Sequence, residues 1–363
     1  MITYLNNFFI TLRQLLAFWK IDRSRRRIVF YSEGGEYWTH FEPIIYSLFK
    51  KYSEKIIYVT SSKKDPNFKN PPYGMQSFFI GKGSIRTIFF STLDVEIIIM
   101  TMPDLNTFHI KRSPFPVKYI YIHHSLVSTH MTYRPQAFDH FDIIFCAGPH
   151  HKIEIEAREK IYKLKQKCLF QHGYGRLDKL ITLSNKKSYY PDKKSKKCVL
   201  IAPSWGEKGL LEVHGIALIG SLLKSGIHTI VRPHPMTLSK NPKLIDIIQN
   251  NFANNPNYLL DLDVNSNQSL LMADIMISDW SGSAFDFSFG LLKPVIFIDT
   301  FKKVNNSNYY ELEINPLEIT IRKKIGVLIS EENMDTIGPN ISKILEKTKT
   351  LKKQTQQKKL KNP

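Results

Sequence analysis

The residues best suited to chemistry lie between Ala273 and Asp299, in the segment ADIMISDWSGSAFDFSFGLLKPVIFID. An apolar strand is predicted to end at Asp279 and a helix begins soon after it, so Ser281 to Ser283 form the connecting turn. Small residues at such a turn allow backbone amides to approach a phosphate, and the helix N-terminus favours its negative charge. The pattern predicts a pyrophosphate site that needs no metal, while an ordinary helix N-cap is the alternative.

Two other strand ends carry polar or aromatic side chains. In the segment IHTIVRPHP, Arg232 and His234 follow a β-branched strand, and they provide a forked cation and a titratable donor suited to a phosphate. A further strand end carries a hydroxyl and an aromatic platform. We predict a catalytic role for His234, with an exposed turn as the alternative. The predicted donor-phosphate site comprises Ser204, Trp205, Arg232, Asp279, Ser281, Gly282 and Ser283.

Adjacent histidines end a strand in the first half of the chain. Successive strand residues point to opposite faces, so we expect one of His123 and His124 to act as a general base and the other to pack or cap. The sequence leaves both assignments open. Metal binding is not predicted, since the two side chains diverge and no carboxylate lies nearby in sequence. His150 and His151 are interpreted as structural residues at the start of a helix.

Two other motifs carry less information. The DxD pattern of Asp261 and Asp263 follows a strand in the second half and is interpreted as a chance match. Gly34 and Gly35 follow the first strand but lack the third glycine of a dinucleotide fingerprint, so no cofactor is predicted. We expect these glycines to permit the close approach of an acceptor.

From Ile28 onward, short apolar strands alternate with helical segments, which is typical of parallel βαβ units. The predicted strands are Ile28–Tyr31, Lys55–Val59, Ser77–Ile80, Val95–Met100, Lys118–Ile122, Asp142–Cys146, Lys167–Phe170, Cys198–Ala202, His228–Val231, Tyr258–Leu260, Ile275–Ser278 and Val295–Ile298.

The alternation stops and restarts around a lysine-rich segment, which predicts two domains. We assign 28–183 to a Rossmann-like acceptor domain, 184–197 to a basic linker and 198–332 to a Rossmann-like nucleotide-donor domain. Residues 333–363 are assigned to a C-terminal helix, which is expected to cross back onto the first domain, and to a basic tail. The predicted class is α/β, with two doubly wound domains facing a central cleft that holds the ligand.

The formal net charge of +19 lies mostly in residues 1–27, 181–198 and 347–363. Flexible basic segments of this kind suit an anionic membrane surface better than a groove that follows nucleic acid. Nucleic acid is therefore not the expected partner.

Residues 1–27 are predicted to form an amphipathic helix followed by an arginine cluster, a composition typical of a helix in the headgroup plane of a membrane. The alternative is a helix packed on the protein body or on a second copy. The apolar stripe comprises Leu5, Phe8, Phe9, Leu12, Leu15, Leu16 and Trp19. The three cysteines lack metal or disulfide spacing, and no run of 18 apolar residues occurs, so we expect a peripheral protein on the cytoplasmic face of the membrane.

Several motifs, taken in order, resemble those of the CDP-glycerol glycerophosphotransferase family, the primases and polymerases of teichoic acid and related capsule polymers. They are HHS, GYGRLD (173–178), APSW, RPHP and DWSGSAFDFSFGLLKPVIF, which together span roughly Ile120 to Asp299. The resemblance implies a GT-B fold. The sequence departs from the family where HGTP-like and GYPRND segments become HHSL and GYGRLD, so the donor side resembles the family more closely than the acceptor side.

The resemblance also implies a reaction. His124 or His123 would deprotonate an acceptor hydroxyl, which attacks the β-phosphate of a CDP-activated alditol and releases CMP without a metal. Arg232 and His234 would stabilise the phosphates, and the serines at 281 and 283 would anchor the pyrophosphate. The acceptor would be a lipid-linked glycan or polymer, and the acceptor-side residues are Gly34, Gly35 and Arg176.

Two other functions share these features. A GT-B glycosyltransferase that uses a nucleotide sugar needs the same pyrophosphate site, and a non-catalytic membrane-surface scaffold retains the same fold. Ligand selectivity distinguishes the two enzymes, whereas filled strand ends would favour the scaffold.

Overall fold

The computed structural model describes residues 2–108, 110–186, 197–263 and 266–346. Most of the lysine-rich segment and the whole basic tail from residue 347 therefore lie outside the described residues. The chain divides into two units, which we call the N-terminal domain (Met1–Arg176 with Val304–Ile314) and the C-terminal domain (Leu177–Lys303 with Asn315–Pro363).

The N-terminal domain is built on a seven-stranded parallel sheet with the order β3-β2-β1-β4-β5-β6-β7. Its strands are rich in isoleucine, valine and aromatic residues, and the central ones are buried on both faces, as in sheets covered by helices. The strands are β1 (Ile28–Ser32), β2 (Ile56–Thr60), β3 (Gln76–Phe79), β4 (Ile97–Met100), β5 (Lys118–Ile122), β6 (Ile143–Cys146) and β7 (Cys168–Gln171).

Alternate strand residues of this sheet enter two separate cores. Val29 and Tyr31 lie in the core that also holds the N-terminal helix, while Ile28 and Phe30 pack against the opposite layer. The helices between residues 2 and 184 are α1 (Ile2–Trp19), α2 (Trp38–Tyr52), α3 (Pro66–Lys69), α4 (Ser84–Ser91), α5 (Pro149–Ile161) and α6 (Gly175–Ser184).

Helix α1 packs on the domain body along one face. Leu15 and Phe18 are fully buried in the first core, where the Phe18 ring makes edge-to-face contacts with Phe78 and Phe89. Phe18 was not part of the predicted stripe, and the side chain of Leu5 lies outside the described part of the structure. The interpretation of the whole stripe as a membrane face is therefore wrong for its Leu15 side.

The opposite side of α1 remains exposed. Phe9 is 62% exposed and Leu16 is 46% exposed, and the exposed basic residues Arg13 and Lys20 lie on the same side of the helix. Helix α1 therefore has one apolar surface inside the domain and a second, partly basic one facing outward.

The C-terminal domain repeats the architecture with a six-stranded parallel sheet, ordered β10-β9-β8-β11-β12-β13. Its strands are β8 (Cys198–Ile201), β9 (His228–Val231), β10 (Tyr258–Leu260), β11 (Ile275–Ser278), β12 (Val295–Ile298) and β13 (Gly326–Ile329). Its helices are α7 (Leu210–Lys224), α8 (Pro235–Lys240), α9 (Pro242–Phe252), α10 (Gln268–Met272), α11 (Ser283–Phe285, continued as a π-helix over Asp286–Gly290) and α12 (Leu317–Ile325).

Every predicted strand is present, but β13 was missed. It begins at Gly326, where an added Cβ would lie only 2.1 Å from the carbonyl oxygen of Val295 on the neighbouring strand. Glycine permits this close approach. A short apolar run that follows the charged end of α12 carries a weak strand signal in the sequence.

The domain boundaries also differ from the predicted ones. The first unit ends at Arg176 instead of residue 183, and Leu180 on α6 packs into a core of the C-terminal domain. Residues 304–314, predicted to lie in the donor domain, belong to the N-terminal domain, where Asn306 donates from Nδ2 to the His130 carbonyl at 2.9 Å.

The end of the described chain packs within the C-terminal domain. Residues 337–346 are helical, and Ile337, Ile341 and Leu345 enter its core at successive helical turns. The expectation that this helix crosses back onto the first domain is therefore wrong. Among the described residues, no helix is long and apolar enough to cross a membrane.

Helix α1 offers a matched pair of substitutions. Leu15→Ala removes a fully buried side chain and should destabilise the N-terminal domain by about 2–5 kcal/mol, because it leaves a cavity. Leu16→Ala, on the exposed side, should cost less than about 0.5 kcal/mol. Thermal and urea unfolding of both variants measures the difference, and equal stability of the two would contradict the packing of α1.

Candidate functional site

The chemically useful residues of the C-terminal domain follow three neighbouring strands. Strands β9, β8 and β11 are adjacent and parallel, so their carboxyl ends meet at one edge of the sheet. They deliver the three predicted segments, which begin at Arg232, Ala202 and Asp279. We call this edge the donor edge.

Asp279 joins two of these segments. Its carboxylate accepts hydrogen bonds from the backbone N–H of Ser204 at 2.6 Å, from Ser204 Oγ at 3.0 Å and from the N–H of Leu210 at 3.2 Å. Leu210 is the first residue of α7, so the carboxylate also serves as a cap for that helix. Asp279 is buried and occupied in this way, which gives it a positioning role at the donor edge.

The turn after Asp279 presents the two predicted hydroxyls together. Ser281 Oγ and Ser283 Oγ lie 2.8 Å apart, and Ser283 Oγ donates to the carbonyl of Ala202 at 3.2 Å. Gly282 is the N-cap of the helical segment that follows. The turn therefore has the small residues and hydroxyls that the sequence predicted, and contact with the β8 end holds it in place.

His234 has a defined protonation state. Its Nδ1 accepts a hydrogen bond from the N–H of Met236 at 3.0 Å and thereby caps α8. Burial, with a smaller contribution from the positive charge of Lys303, lowers the pKa of His234 to about 3. At neutral pH the ring is thus uncharged and carries its proton on Nε2, where it can donate to a phosphate oxygen.

The guanidinium of Arg232 has partners within its own domain. Its Nη1 donates to Asp261 Oδ2 at 3.1 Å, to Ser269 Oγ at 2.9 Å and to the Ser266 carbonyl at 2.8 Å. These bonds occupy Nη1 within the domain. The contact of Arg232 with a phosphate therefore stays a prediction. The same bonds also give Asp261 of the DxD pattern a structural role.

Sequence reasoning missed Lys303, which follows β12, the strand next to β11. Its Nζ donates to the Trp205 carbonyl at 3.0 Å and lies 4.4 Å from the centre of the Trp205 ring, while the Nζ of Lys240 lies 4.8 Å from the same ring. Trp205 was predicted as an aromatic platform, and cations occupy positions over its ring. The signal that could have identified Lys303 in the sequence was its position shortly after a predicted strand of the same sheet.

Arg322 on α12 was also missed. Its guanidinium lies 4.0 Å from the centre of the Trp280 ring and donates to Asp299 Oδ1 and to the Ile298 carbonyl, both at 3.0 Å. Trp280 in turn donates from Nε1 to the Thr300 carbonyl at 3.1 Å. These contacts fix the loop that follows β12 against the turn that follows β11.

In the N-terminal domain, β5 ends in the two predicted histidines, which differ sharply in exposure. His123 is 1% exposed and stacks on His151 with ring centres 3.8 Å apart, and neither of its ring nitrogens has a hydrogen-bond partner among the described residues. His150 and His151 bond through Nε2 to backbone carbonyls, each at 2.9 Å, which agrees with their structural interpretation.

His124 is partly exposed and lies in an aromatic cluster. Its Nδ1 is 3.2 Å from the Tyr121 hydroxyl, and the Tyr37, Tyr133 and His40 rings lie close by, with centres between 5.4 and 6.4 Å away. Burial lowers the pKa of His124 to about 4, so the imidazole is neutral and able to take a proton. Of the two histidines, His124 is the accessible one.

The predicted acceptor-side residues lie at the carboxyl ends of the same sheet. An added Cβ at Gly35 would lie 2.8 Å from Pro66 Cδ, and the Gly34 N–H bonds to Ser32 Oγ at 3.2 Å. Packing within the domain therefore accounts for the glycine at position 35. Arg176 is the second residue of α6, and its charge contributes to the lowered pKa of His40, after burial and His124.

No group of three or more His, Cys, Asp or Glu side chains in the described ranges is arranged to hold a metal ion.

The comparisons with known proteins agree with this architecture. The family model for CDP-Glycerol:Poly(glycerophosphate) glycerophosphotransferase matches residues 15–311. No curated protein matches the sequence.

Similar solved structures include the wall teichoic acid polymerase TagF with CDPG, at 14% identity and a TM-score of 0.50, covering 97% of this chain and 99% of that chain. The UDP-GlcNAc 2-epimerase of Neisseria meningitidis bound to UDP-GlcNAc matches at 13% identity and a TM-score of 0.56, covering 89% and 93%. S. aureus MnaA with UDP matches at 12% identity and a TM-score of 0.54, covering 88% of this chain and 89% of that chain. The predicted GT-B-like fold of two parallel-sheet α/β domains is confirmed.

The cap made by His234 leads to a test of its geometry. His234→Ala should lower the stability of the C-terminal domain by about 1 kcal/mol, because α8 loses its N-cap, whereas His234→Asn should retain most of it. Thermal unfolding of the two variants measures this difference. Loss of the same stability in both would mean that the Nδ1 bond does not cap the helix.

Proposed function

The chain belongs to the CDP-glycerol:poly(glycerophosphate) glycerophosphotransferase family, and we propose that it moves glycerol phosphate, or a related alditol phosphate, from a CDP-activated donor to a hydroxyl of a membrane-linked glycan or polymer. In this proposal the product released is CMP, and the acceptor belongs to a teichoic-acid-type or capsule polymer.

The observation that carries the proposal is the donor edge. Three adjacent strand ends bring the Ser281–Ser283 turn, Ser204 and the Nε2–H of His234 to one edge of a parallel sheet. Hydroxyls, backbone amides and a neutral imidazole donor are groups that bind a diphosphate through hydrogen bonds. The donor edge would therefore hold the CDP moiety, with Asp279 positioning Ser204.

The reaction is written as an in-line displacement. The acceptor oxygen attacks the β-phosphorus, and the bond from that phosphorus to the oxygen bridging it to the α-phosphate breaks. CMP leaves with the bridging oxygen, and the acceptor proton passes to a base. His234 Nε2–H would stabilise charge that develops on the phosphates.

We assign the base to His124. It is neutral at physiological pH and partly exposed, and it has tyrosine hydroxyls nearby, whereas His123 is enclosed between His151 and Phe138. The lowered pKa makes His124 a weak base in the free protein.

The catalytic assignment is tested with CMP release from CDP-glycerol in the presence of a lipid-linked glycan bearing a free glycerol hydroxyl. His124→Gln should lower kcat by about 100-fold or more with little change in donor affinity, because only proton transfer is lost. The cap-preserving His234→Asn variant should also lose turnover while remaining folded.

His123→Phe serves as the control for the neighbouring histidine. It replaces one buried ring by another, so turnover should stay within about threefold. A loss of activity in His123→Phe with full activity in His124→Gln would reverse the assignment. Turnover with a UDP-sugar instead of CDP-glycerol would make the protein a glycosyltransferase, and binding of neither would favour a scaffold.

The exposed side of α1 is the proposed membrane contact, at the cytoplasmic face. Phe9 and Leu16 offer apolar side chains for the interface, and Arg13 and Lys20 can attract anionic headgroups. The basic tail was predicted to contribute as well, but it lies outside the described residues.

The membrane proposal is tested by co-sedimentation with phosphatidylglycerol vesicles. A Phe9→Ser, Leu16→Ser variant should bind at least about tenfold less well, because two apolar side chains no longer enter the interface. Val213→Ser, at a position 56% exposed in the C-terminal domain, provides the control. Unchanged binding of the double variant would assign the membrane contact to another surface, or to none.

A further inference from the structure

Lys303 lies at the donor edge without an anionic partner. Its Nζ has one hydrogen bond, to the Trp205 carbonyl at 3.0 Å, and no carboxylate within ion-pair distance in the described part of the chain. The side chain is partly buried, and burial lowers its pKa to about 8. A desolvated ammonium that lacks a counter-ion is unfavourable unless an anion binds beside it.

The carboxylates that influence Lys303 accept hydrogen bonds from other groups, although Oε2 of Glu212 has no hydrogen-bond partner in the described part of the chain. Asp279 accepts the bonds from Ser204 and Leu210, while Glu212 Oε1 accepts from Thr237 Oγ1 at 2.9 Å. Both carboxylates raise the pKa of Lys303 without forming an ion pair with it. They provide a weak negative field that leaves the ammonium able to take an anionic ligand.

His234 and the serines of the donor edge lack the positive charge that Lys303 offers. His234 is neutral and lends hydrogen bonds without charge, and the serines are neutral as well. Nη1 of Arg232 is bonded to Asp261 and its neighbours. Positive charge strengthens hydrogen bonds to a diphosphate and compensates in part for the water that each phosphate oxyanion loses on binding.

Resting on the function proposed above, we infer that Lys303 is a donor-binding residue whose ammonium pairs with a phosphate oxygen of the CDP-activated donor, beside the Nε2–H of His234. Trp205 holds the ammonium in place through its carbonyl and its ring. The ring and the carbonyl of Trp205 therefore orient Lys303.

This role makes donor affinity depend on pH in a defined direction. The charged and titratable groups that face Lys303 are Asp279, Glu212, His234 and Lys240, the last over the same Trp205 ring. The diphosphate diester of the donor has no second ionisation of the kind that a phosphate monoester has near about pH 6. Affinity should therefore fall as pH rises through the pKa of Lys303, and binding above about pH 8 should take up a proton.

The test is isothermal titration of the full chain with CDP-glycerol between about pH 7 and about pH 9.5, in buffers of different ionisation enthalpy. In the unmodified protein Kd should rise about tenfold or more over this range, with proton uptake at the upper end. Lys303→Met should weaken binding about tenfold or more at about pH 7 and abolish the pH dependence. Lys303→Arg should retain affinity but show no proton uptake, since arginine stays charged.

Lys208→Met is the matched control. The Lys208 ammonium lies 4.1 Å from the Phe301 ring centre, but the side chain is exposed. Its removal should change Kd less than about twofold. Melting curves of all variants verify that they are folded.

Inorganic pyrophosphate, titrated at a single pH, separates this inference from the proposed function. If CDP-glycerol binds equally well to Lys303→Met with an unchanged pH profile, the inference is overturned and the function stands. If CDP-glycerol fails to bind but pyrophosphate binds in a Lys303-dependent way, the anion site stands and the function falls. If the unmodified protein binds neither probe, both are overturned.

Discussion

The buried carboxylate of Asp279 organises the donor edge. It accepts two backbone N–H groups and one hydroxyl from the segment that follows β8, so the end of β11, the Ser204 loop and the start of α7 are held together through one side chain. Hydrogen bonds to an ionised carboxylate are stronger than those between neutral groups, so this attachment is a firm one. The Ser281–Ser283 turn begins two residues later, and its position depends on this attachment.

Burial also determines which groups of the protein carry charge. His124 and His234 are both held neutral because desolvation opposes protonation, so each can act through hydrogen bonds or proton transfer at physiological pH. Desolvation acts on Lys303 as well, but it leaves a pKa of about 8, so the Lys303 side chain is mostly charged near neutral pH. Neutral donors and the partly buried ammonium of Lys303 together suit an anionic ligand that binds and is released.

Helix α1 serves two surfaces at once. One side completes the core of the N-terminal domain through Leu15 and Phe18, while Phe9 and Leu16 remain outside. A helix that is apolar over more than half of its circumference can pack inward and still contact a membrane. The two interpretations of its sequence are therefore compatible, each for its own side.

The sequence by itself determined the two parallel sheets and the segments that line the donor edge. The β-branched runs and the turn residues after β8, β9 and β11 are local signals, so their strands and functional segments were predictable. It could not assign the partners of individual side chains. The pairing of Arg232 with Asp261, the use of Asp279 as an anchor and the position of Lys303 beside Trp205 join residues far apart in sequence.

The tertiary structure also decided between alternatives that local patterns left equal. His123 and His124 have the same side chain and adjacent positions. The packing of His151 and Phe138 encloses His123, whereas His124 stays accessible. Residues 304–314 belong to the N-terminal domain for a similar reason, since their bonds to His130 and Met131 are long-range contacts. Periodicity reports which residues avoid water, but the specific neighbour that buries each of them is settled when the whole chain packs.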